Sequence, residues 1–426
     1  MSEFETPQEF VDAWVDTFTT DYSYNNPTYA RAVLHVIMGR ILLNQRIIKR
    51  GSETAPRISM FYLQGPSSGK SSAYPMIYEV MNELGIEIMS PDELSDAALI
   101  GTIEQEVDEE GNTTWTDSEG ILADTEVFHF DEASILINPK KYQQNMMTYL
   151  QKALNPIGSE QNKITKQLAH GNEITVRPNC SLLLTSYMPE GIEDTVLNTG
   201  FLQRMIVVPR ELTIEDRLDQ VQQDIQALGQ DAKETSLEML VSELKMIKRH
   251  YETRREFDWS PARPVIFKYA EDMFNTVRET PREVRKVLES FVPRQIEQLY
   301  RLSMHYCCIR RDTTIKPEDV RHGARLVLKS FHMIVNWLEE NPEMRGGEER
   351  GENAKKKFRG LLEVVSNHDA NQAGFYGVNS IIDDLSMRWN LSQSSCYKWI
   401  NRFEDKNWVV VERRSGSKFI KPRGQE

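Results

Sequence analysis

The chain has 426 residues, 39% hydrophobic and 27% charged, with a formal net charge of −13, and this length implies two or three domains rather than one compact core. No apolar run reaches the roughly 18 residues of a membrane span, and the acidic start MSEFETPQEF is unlike a secretory signal, so a cytoplasmic location is expected. Cysteines at 180, 307, 308 and 396 form no CxxC pair, which excludes a zinc ribbon and a disulfide framework in favour of buried thiols, and the acidic total excludes a uniformly basic nucleic-acid binder.

Taken in order, residues 6–19 place Phe10, Val11, Trp14, Val15 and Phe18 at helical spacing. After Asn25-Asn26-Pro27, a second helix is expected over residues 29–50, through Val33, Leu34, Ile37, Met38, Ile41 and Leu42. Together they make a helical N-terminal cap, residues 1–54.

Residues 58–72 read ISMFYLQGPSSGKSS, an apolar strand running into a small-residue turn and then Gly69-Lys70-Ser71. This is how a phosphate-binding P-loop is built. Small residues let backbone N–H groups approach phosphate oxygens, the Lys supplies charge, and the Ser hydroxyl ligates Mg²⁺. The pattern GxxxxGK[ST] wants Gly where the chain has Gln64, and Gly65 comes one residue late. Gly65, Pro66, Ser67, Ser68, Gly69, Lys70, Ser71 and Ser72 are therefore the expected nucleotide-binding residues. A helix over 69–84 follows, with Pro75 near its start.

The next stretch alternates as a hairpin, Thr102 to Val107, a turn over 108–112, then Thr113 to Thr116. A strand, Val127 to Phe130, ends in Asp131-Glu132. At the end of a buried parallel strand, such an Asp holds Mg²⁺ and the Glu polarises a water, as in a Walker B site. A helix over 139–154 leads to a second hairpin, 164–168 and 172–176, meeting at Ala169-His170-Gly171-Asn172. Ser181 to Ser186 is another buried strand, ending in hydroxyls suited to orienting water. GFLQRMIVVP then sets Arg204 between a short helix and a strand, which closes an α/β core spanning residues 55–210. A lone Arg in that slot reads as a solvated charge or ion pair, or, in a ring ATPase, as a group offered to a neighbour's γ-phosphate.

Residues 211–340 read as helical, with Arg294 near the start of the stripe Ile296, Leu299, Leu302 and Met304, and with a helix start at Ile315-Lys316-Pro317-Glu318-Asp319. Residues 341–352 (NPEMRGGEERGE) have no apolar periodicity and are expected to be a linker. Residues 353–426 hold 13 Lys and Arg against 8 Asp and Glu, a basic piece on an acidic body. Three helical patterns and a strand-turn-strand there read as a winged helix, either a DNA reader or a protein-interaction module. As a reader it would use Lys398 and Arg402 on the third helix and Arg413, Arg414 and Lys418 on the wing.

The order of P-loop, helix-interrupting hairpin, Asp-Glu strand, second hairpin, polar-ended strand, Arg before a strand, helical lid with an Arg and winged helix resembles AAA+ ATPases of the helix-2-insert group. It is most similar to the minichromosome maintenance (MCM) replicative helicases. LSDAALIGTIEQEVDEEGNTTWTDSEGILAD looks like their helix-2 insert, ITKQLAHGNEITV like their pre-sensor-1 hairpin, and VPRQIEQLYRLS with IKPEDV like their lid.

The resemblance implies ATP and Mg²⁺ as cofactors, with Lys70 on the β/γ-phosphates, Ser71 and Asp131 on the metal, and Glu132 activating water. Ser186 would stand at the sensor 1 position, Arg204 as arginine finger and Arg294 as sensor 2, both acting on a neighbour's nucleotide in a hexamer. Lys163, Lys166 and His170 would meet single-stranded DNA in the pore. The expected function is an ATP-driven DNA translocase or replicative helicase. The alternative is an ATP-switched initiator or helicase loader that binds defined DNA through the winged helix, with other replication-initiation proteins as partners. Two departures stand out: GFLQRM in place of the family's LSRFD, and no N-terminal oligonucleotide-binding or zinc-ribbon region. A minimal relative of the kind carried by viruses or mobile elements fits that size.

Overall fold

The computed structural model describes residues 4–22, 26–64, 71–91, 95–107, 113–131, 133, 136, 144–167, 173–187, 200–210, 212–228, 234–340, 348–371, 373–389, 393–405, 407–414 and 417–423. The chain divides into two compact units, Met1–Arg345 and Gly346–Glu426.

The first unit opens with α1 (Pro7–Thr17), started by a capping box in which Thr6 Oγ1 accepts from the Glu9 amide and the Glu9 carboxylate accepts from the Thr6 amide. Phe10, Val11, Trp14 and Val15 turn inward, and Trp14 Nε1 donates to the Ala30 carbonyl of α2 (Pro27–Ile41) at 2.8 Å. The helix expected to reach residue 50 stops at Ile41. Gln45 instead donates to the carbonyls of Tyr251 and Thr253, at 2.8 and 2.9 Å, and the chain folds into a ribbon, β1 (Ile47–Lys49) and β2 (Ser52–Thr54). Arg50 and Gly51 both take positive φ, 51° and 78°, as the two-residue turn of such a ribbon requires.

The core is a five-stranded, all-parallel sheet of β3 (Met60–Gln64), β4 (Ile88–Met89), β7 (Val127–Phe130), β10 (Ser181–Ser186) and β11 (Ile206–Arg210). Numbered by these five alone, the order across the sheet is 5-1-4-3-2. Strands β3, β7 and β10 are buried along their whole length, which is why each reads as a nearly unbroken apolar run. The α3 helix (Tyr74–Glu83) follows a 3₁₀ turn, Ser71–Ala73, so Pro75 falls in its first turn, where no N–H is needed.

Two hairpins stand outside the sheet. The first, β5 (Gly101–Val107) with β6 (Thr113–Glu119), leaves α4 (Asp96–Ile100) and pairs Gly101 with Glu119. The second, β8 (Ile164–Gln167) with β9 (Glu173–Val176), follows α5 (Gln144–Ala153). Gly101 has φ +123°, and a side chain there would run into the Ser118 carbonyl and Ile174 of the other hairpin. The base of the first hairpin is thus packed against the second.

Helices α6 (Ile214–Ala227), α7 (Glu234–His250), α8 (Arg263–Glu279), α9 (Arg282–Ile309) and α10 (Pro317–Glu340) complete the unit. Arg294, just ahead of the Ile296 stripe, lies well inside α9, which runs through Pro293. Asp319 Oδ2 accepts from the Lys316 amide at 2.8 Å, fixing the start of α10, and Ser330 Oγ ties that helix to the Val207 carbonyl of β11 at 2.5 Å. Between α2 and α9, the buried rings of His35 and His305 meet at 3.1 Å, Nδ1 to Nδ1.

The second unit runs α11 (Glu348–Val365), β12 (Tyr376–Gly377), α12 (Val378–Trp389), α13 (Gln393–Asp405), β13 (Val409–Arg414) and β14 (Ser417–Pro422). Its antiparallel sheet has the order β12-β14-β13, over a core of Phe358, Leu361, Ile381, Leu385, Ile400, Phe403 and Ile420. The segment expected to be a linker is already helical from Glu348. All four cysteines are buried free thiols, and no helix among the described residues is long and apolar enough to cross a membrane.

Candidate functional site

The C-terminal edge of the sheet gathers the acid and hydroxyl residues. Asp131 follows β7 directly, and Thr185 on the neighbouring β10 donates its hydroxyl to Asp131 Oδ1 at 2.5 Å. With that proton committed, Tyr74 at the start of α3 is the donor in its 3.0 Å contact with Thr185 Oγ1. The result is a chain from Tyr74 through Thr185 to Asp131 that fixes the carboxylate's orientation. Burial is the main cause that pushes the Tyr74 phenol up, and the Asp131 carboxylate adds to it. Ser71 sits in the same group, hydrogen-bonded to Tyr74. Tyr29, fully buried and stacked on Tyr62 at 4.5 Å between centroids, also feels the Asp131 charge.

Thr185 was not singled out in the sequence; Ser186 was. Side chains alternate across a strand, so only one of the two can face Asp131. Ser186 Oγ is buried with no hydrogen-bond partner among the described residues. Thr185→Val keeps the shape and removes the hydroxyl. We expect it to lower stability by about 1–3 kcal/mol in denaturant unfolding, because two polar groups lose their partner, and Thr185→Ser should restore most of it.

Gln64, at the position where the phosphate-loop pattern wants Gly, is the last residue of β3 and is fully buried. Its amide oxygen accepts from Asn26 Nδ2 at 3.4 Å, and Asn26 also donates to the Tyr62 hydroxyl. A strand residue held from below has no need of glycine's freedom, so the departure belongs to the strand. Gly65, Pro66, Ser67, Ser68, Gly69 and Lys70 lie outside the described residues, as does Glu132; Ser71 and Ser72 are exposed in the 3₁₀ turn that follows the loop.

The arginines gather at the other edge. Strand β11 pairs with β3 so that Ile206 opposes Met60 and Arg210 opposes Gln64. Arg204, two residues ahead of Ile206, is therefore separated from the phosphate-loop edge by on the order of 20 Å of strand length, beyond an Arg side chain's reach. Arg204 Nη1 donates to the Gly200 carbonyl at 2.6 Å, and Gly200, at φ +83°, leaves room for the guanidinium that a Cβ would occupy. Gln298 on α9 holds the Arg204 carbonyl at 2.6 Å.

Arg294 lies close enough to lower the Arg204 pKa after burial has done so, with Glu297 acting in the opposite sense. Arg294 itself bridges to Glu297 at 2.9 Å. Arg204, Arg294, Arg301, Lys49 and Gln298 line one cleft of about 410 Å³. Burial chiefly pushes Arg301 down to about 10; Glu297 opposes this, and Arg294 and Arg204 add to it. Its Nε has no partner among the described residues. Three guanidiniums around Glu297 make a cleft suited to an anion. Arg301 is the member the sequence reading missed, since spacing alone cannot tell a helix residue facing a cleft from one facing a core.

The residues expected to meet DNA are placed unevenly. Lys163 is half-buried just before β8, while Lys166 Nζ donates to the Gly101 carbonyl at 3.1 Å and so ties the second hairpin to the first. His170 lies outside the described residues, and Lys398 is placed only as a member of α13. In the second unit Arg402 stacks on Trp399 at 4.9 Å, Arg414 bridges Glu412 at 2.8 Å, and Lys418 bonds Asn401 with Glu404 at 3.8 Å; Arg413 is exposed.

Magnesium carried on a phosphate chain needs only one or two protein oxygens. Asp131, held by Thr185, fits that need, and among the described residues no group of three or more His, Cys, Asp or Glu makes a closed metal site. No protein-family model matches the chain, and no curated protein matches it either.

Proposed function

We propose that this chain is an AAA+ ATPase that assembles into a ring, probes or moves along DNA, and builds each ATP site from two copies. The observation that carries the reading is the division of the sheet: the metal-type acid stands at one edge and the arginine cleft at the other, so the two halves of a hydrolytic site meet only between copies. The strand order 5-1-4-3-2, the two hairpins outside the sheet and the helix-strand-helix-helix-strand-strand unit, a winged-helix order, all support the AAA+ reading. Asp131 and Ser71 would hold Mg²⁺, which would offset the charge that develops on the phosphates in transfer. The chain's own part is to hold Asp131 through Thr185 and Tyr74, and to present Arg204 and Arg294 to the phosphates of the next copy.

Replicative translocation is the first output we assign. The engagement of Lys166 by Gly101 favours DNA contact through the C-terminal unit, which keeps the initiator or loader as a second reading. Nuclease footprinting separates them: a defined protected site favours the initiator, and sequence-blind, length-dependent protection the translocase. The decisive measurement is ATP turnover with and without single-stranded DNA, taken beside the assembly mass with ATP present. We expect DNA-stimulated turnover by an oligomer, and at least about 10²-fold less turnover for Asp131→Asn, whose amide holds the metal poorly. A monomer that hydrolyses ATP at full rate would sink the shared-site reading.

A further inference from the structure

Helix α6 exposes an apolar seam. Ile214, Leu218, Val221, Ile225 and Leu228 follow one another at spacings of four and three, and they are 81, 56, 53, 61 and 78% exposed. Such a seam belongs against another surface. By sequence α6 has four acids, Glu215, Asp216, Asp219 and Asp224, against Arg217 as its one basic residue, so two α6 helices laid side by side would set two net-negative helices together.

The same chain carries a fitting surface elsewhere. A groove of about 380 Å³ is lined by Ile48, Trp259, Ile266 and Phe267, with Lys49 and Arg263 among its residues; Ile48 is 60% and Phe267 65% exposed. The groove is apolar inside and basic at its rim, the complement of α6. Position supports the match as well. The groove shares Ile47, Lys49 and Tyr300 with the arginine cleft. Helix α6 begins four residues after Arg210, which opposes Gln64, so it starts within about 14 Å of the phosphate-loop edge.

From these we infer that the α6 seam of one copy seats in the Ile48–Phe267 groove of the next, a head-to-tail contact that aligns the acid edge of the first with the arginine cleft of the second. The inference rests on the shared-site reading and names the surface that brings its halves together. Because donor and acceptor surfaces differ, the contact repeats around a ring instead of closing as a two-fold dimer.

The test uses the full chain with Mg²⁺ and ATP in sedimentation velocity. Leu218→Asp with Ile225→Asp spoils the seam, and Phe267→Asp spoils the groove; all three sites are exposed, and Ser replacements at the same positions give milder versions. Each variant alone is expected to sediment as a monomer. An equimolar mixture of the two is expected to form a species of two chains and nothing larger, since one good seam and one good groove remain; that dimer also shows both variants to be folded. Assemblies of wild-type size from either variant, or a mixture that stays monomeric, overturn the inference. Assembly by the groove variant with loss only in the seam variant would indicate seam-to-seam pairing and overturn it too. A wild-type ring that hydrolyses ATP beside unaffected variants sinks this contact alone. A wild-type chain that neither assembles nor hydrolyses ATP sinks it together with the shared-site reading.

Discussion

Arg204→Ala will lower ATP turnover by about 10³-fold or more while leaving nucleotide affinity of the dilute chain unchanged, because an arginine supplied to transition-state charge is worth that much and Arg204 does not reach its own chain's phosphate-loop edge. Its surroundings argue that the side chain is held ready. Gly200 clears space for the guanidinium and accepts a hydrogen bond from it, Gln298 holds its carbonyl, and Arg294 and Arg301 keep the cleft positive. The sharper form is a mixing experiment. Arg204→Ala retains a good acid edge and Asp131→Asn a good arginine edge. Two inactive preparations combined in equal amounts should therefore recover up to about a quarter of wild-type turnover, the share of contacts that pair the two good edges at random. Turnover by Arg204→Ala at the wild-type rate would remove the arginine from the reaction.

Acidification from pH 6.5 to 5 will destabilise the fold through His35 and His305 by up to about 2.7 kcal/mol per pH unit for the pair. The tautomers follow from the partners. The Pro56 carbonyl can only accept, so His305 carries its proton on Nε2 and donates to it at 2.6 Å. Its Nδ1 must then accept from the Nδ1–H of His35, which leaves the buried Nε2 of His35 without a partner among the described residues. A further proton on His305 would face another N–H, and one on His35 would find no acceptor among the described residues. Burial accordingly pushes His305 down to about 3, opposed by the Pro56 bond and helped by Arg301; burial, then His305 and Arg31, hold His35 well below the usual imidazole range.

The unfolded chain takes up protons below about pH 6.5 and the folded chain does not, so stability is full above that pH and is lost as pH falls toward the folded values. Denaturant midpoints at pH 7, 6 and 5 check this. His35→Leu should remove about 1.4 kcal/mol per unit from the slope, and a variant with an unaltered slope would refute the assignment.

Much of the architecture was legible in residues whose neighbours along the chain decide their state. Strands β3, β7 and β10 read as apolar runs because both their faces are covered, the second hairpin reads as alternation because one of its faces is not, and β4, two half-buried residues, offered no run to read. The end of α2 was not legible. Ile47 and Ile48 continue a helical apolar pattern, and what stops the helix is Gln45 reaching carbonyls some 206 to 208 residues away. Helix α11 likewise begins in a charged, Gly-containing run with no apolar stripe to announce it. At the candidate site, Asp131 was singled out by residue type at a strand end, and Arg204 and Arg294 by their place in the order of elements that carries the resemblance. Thr185 and Arg301 were missed because what matters there is which way a side chain faces once strands pair and helices pack. Lys166 was seen as a phosphate contact, yet its ammonium is held by a carbonyl of the other hairpin.

The bond from Asn26 to Gln64 changes what the first two helices are for. A residue before α2 braces the last strand position ahead of the phosphate loop, and the same Asn caps α2 through the Tyr29 amide at 3.3 Å. The opening segment is therefore footing under the end of β3 and not an appendage beside the core. A fragment begun at residue 55 would keep every motif that reads as an ATPase and would leave Gln64 without its brace.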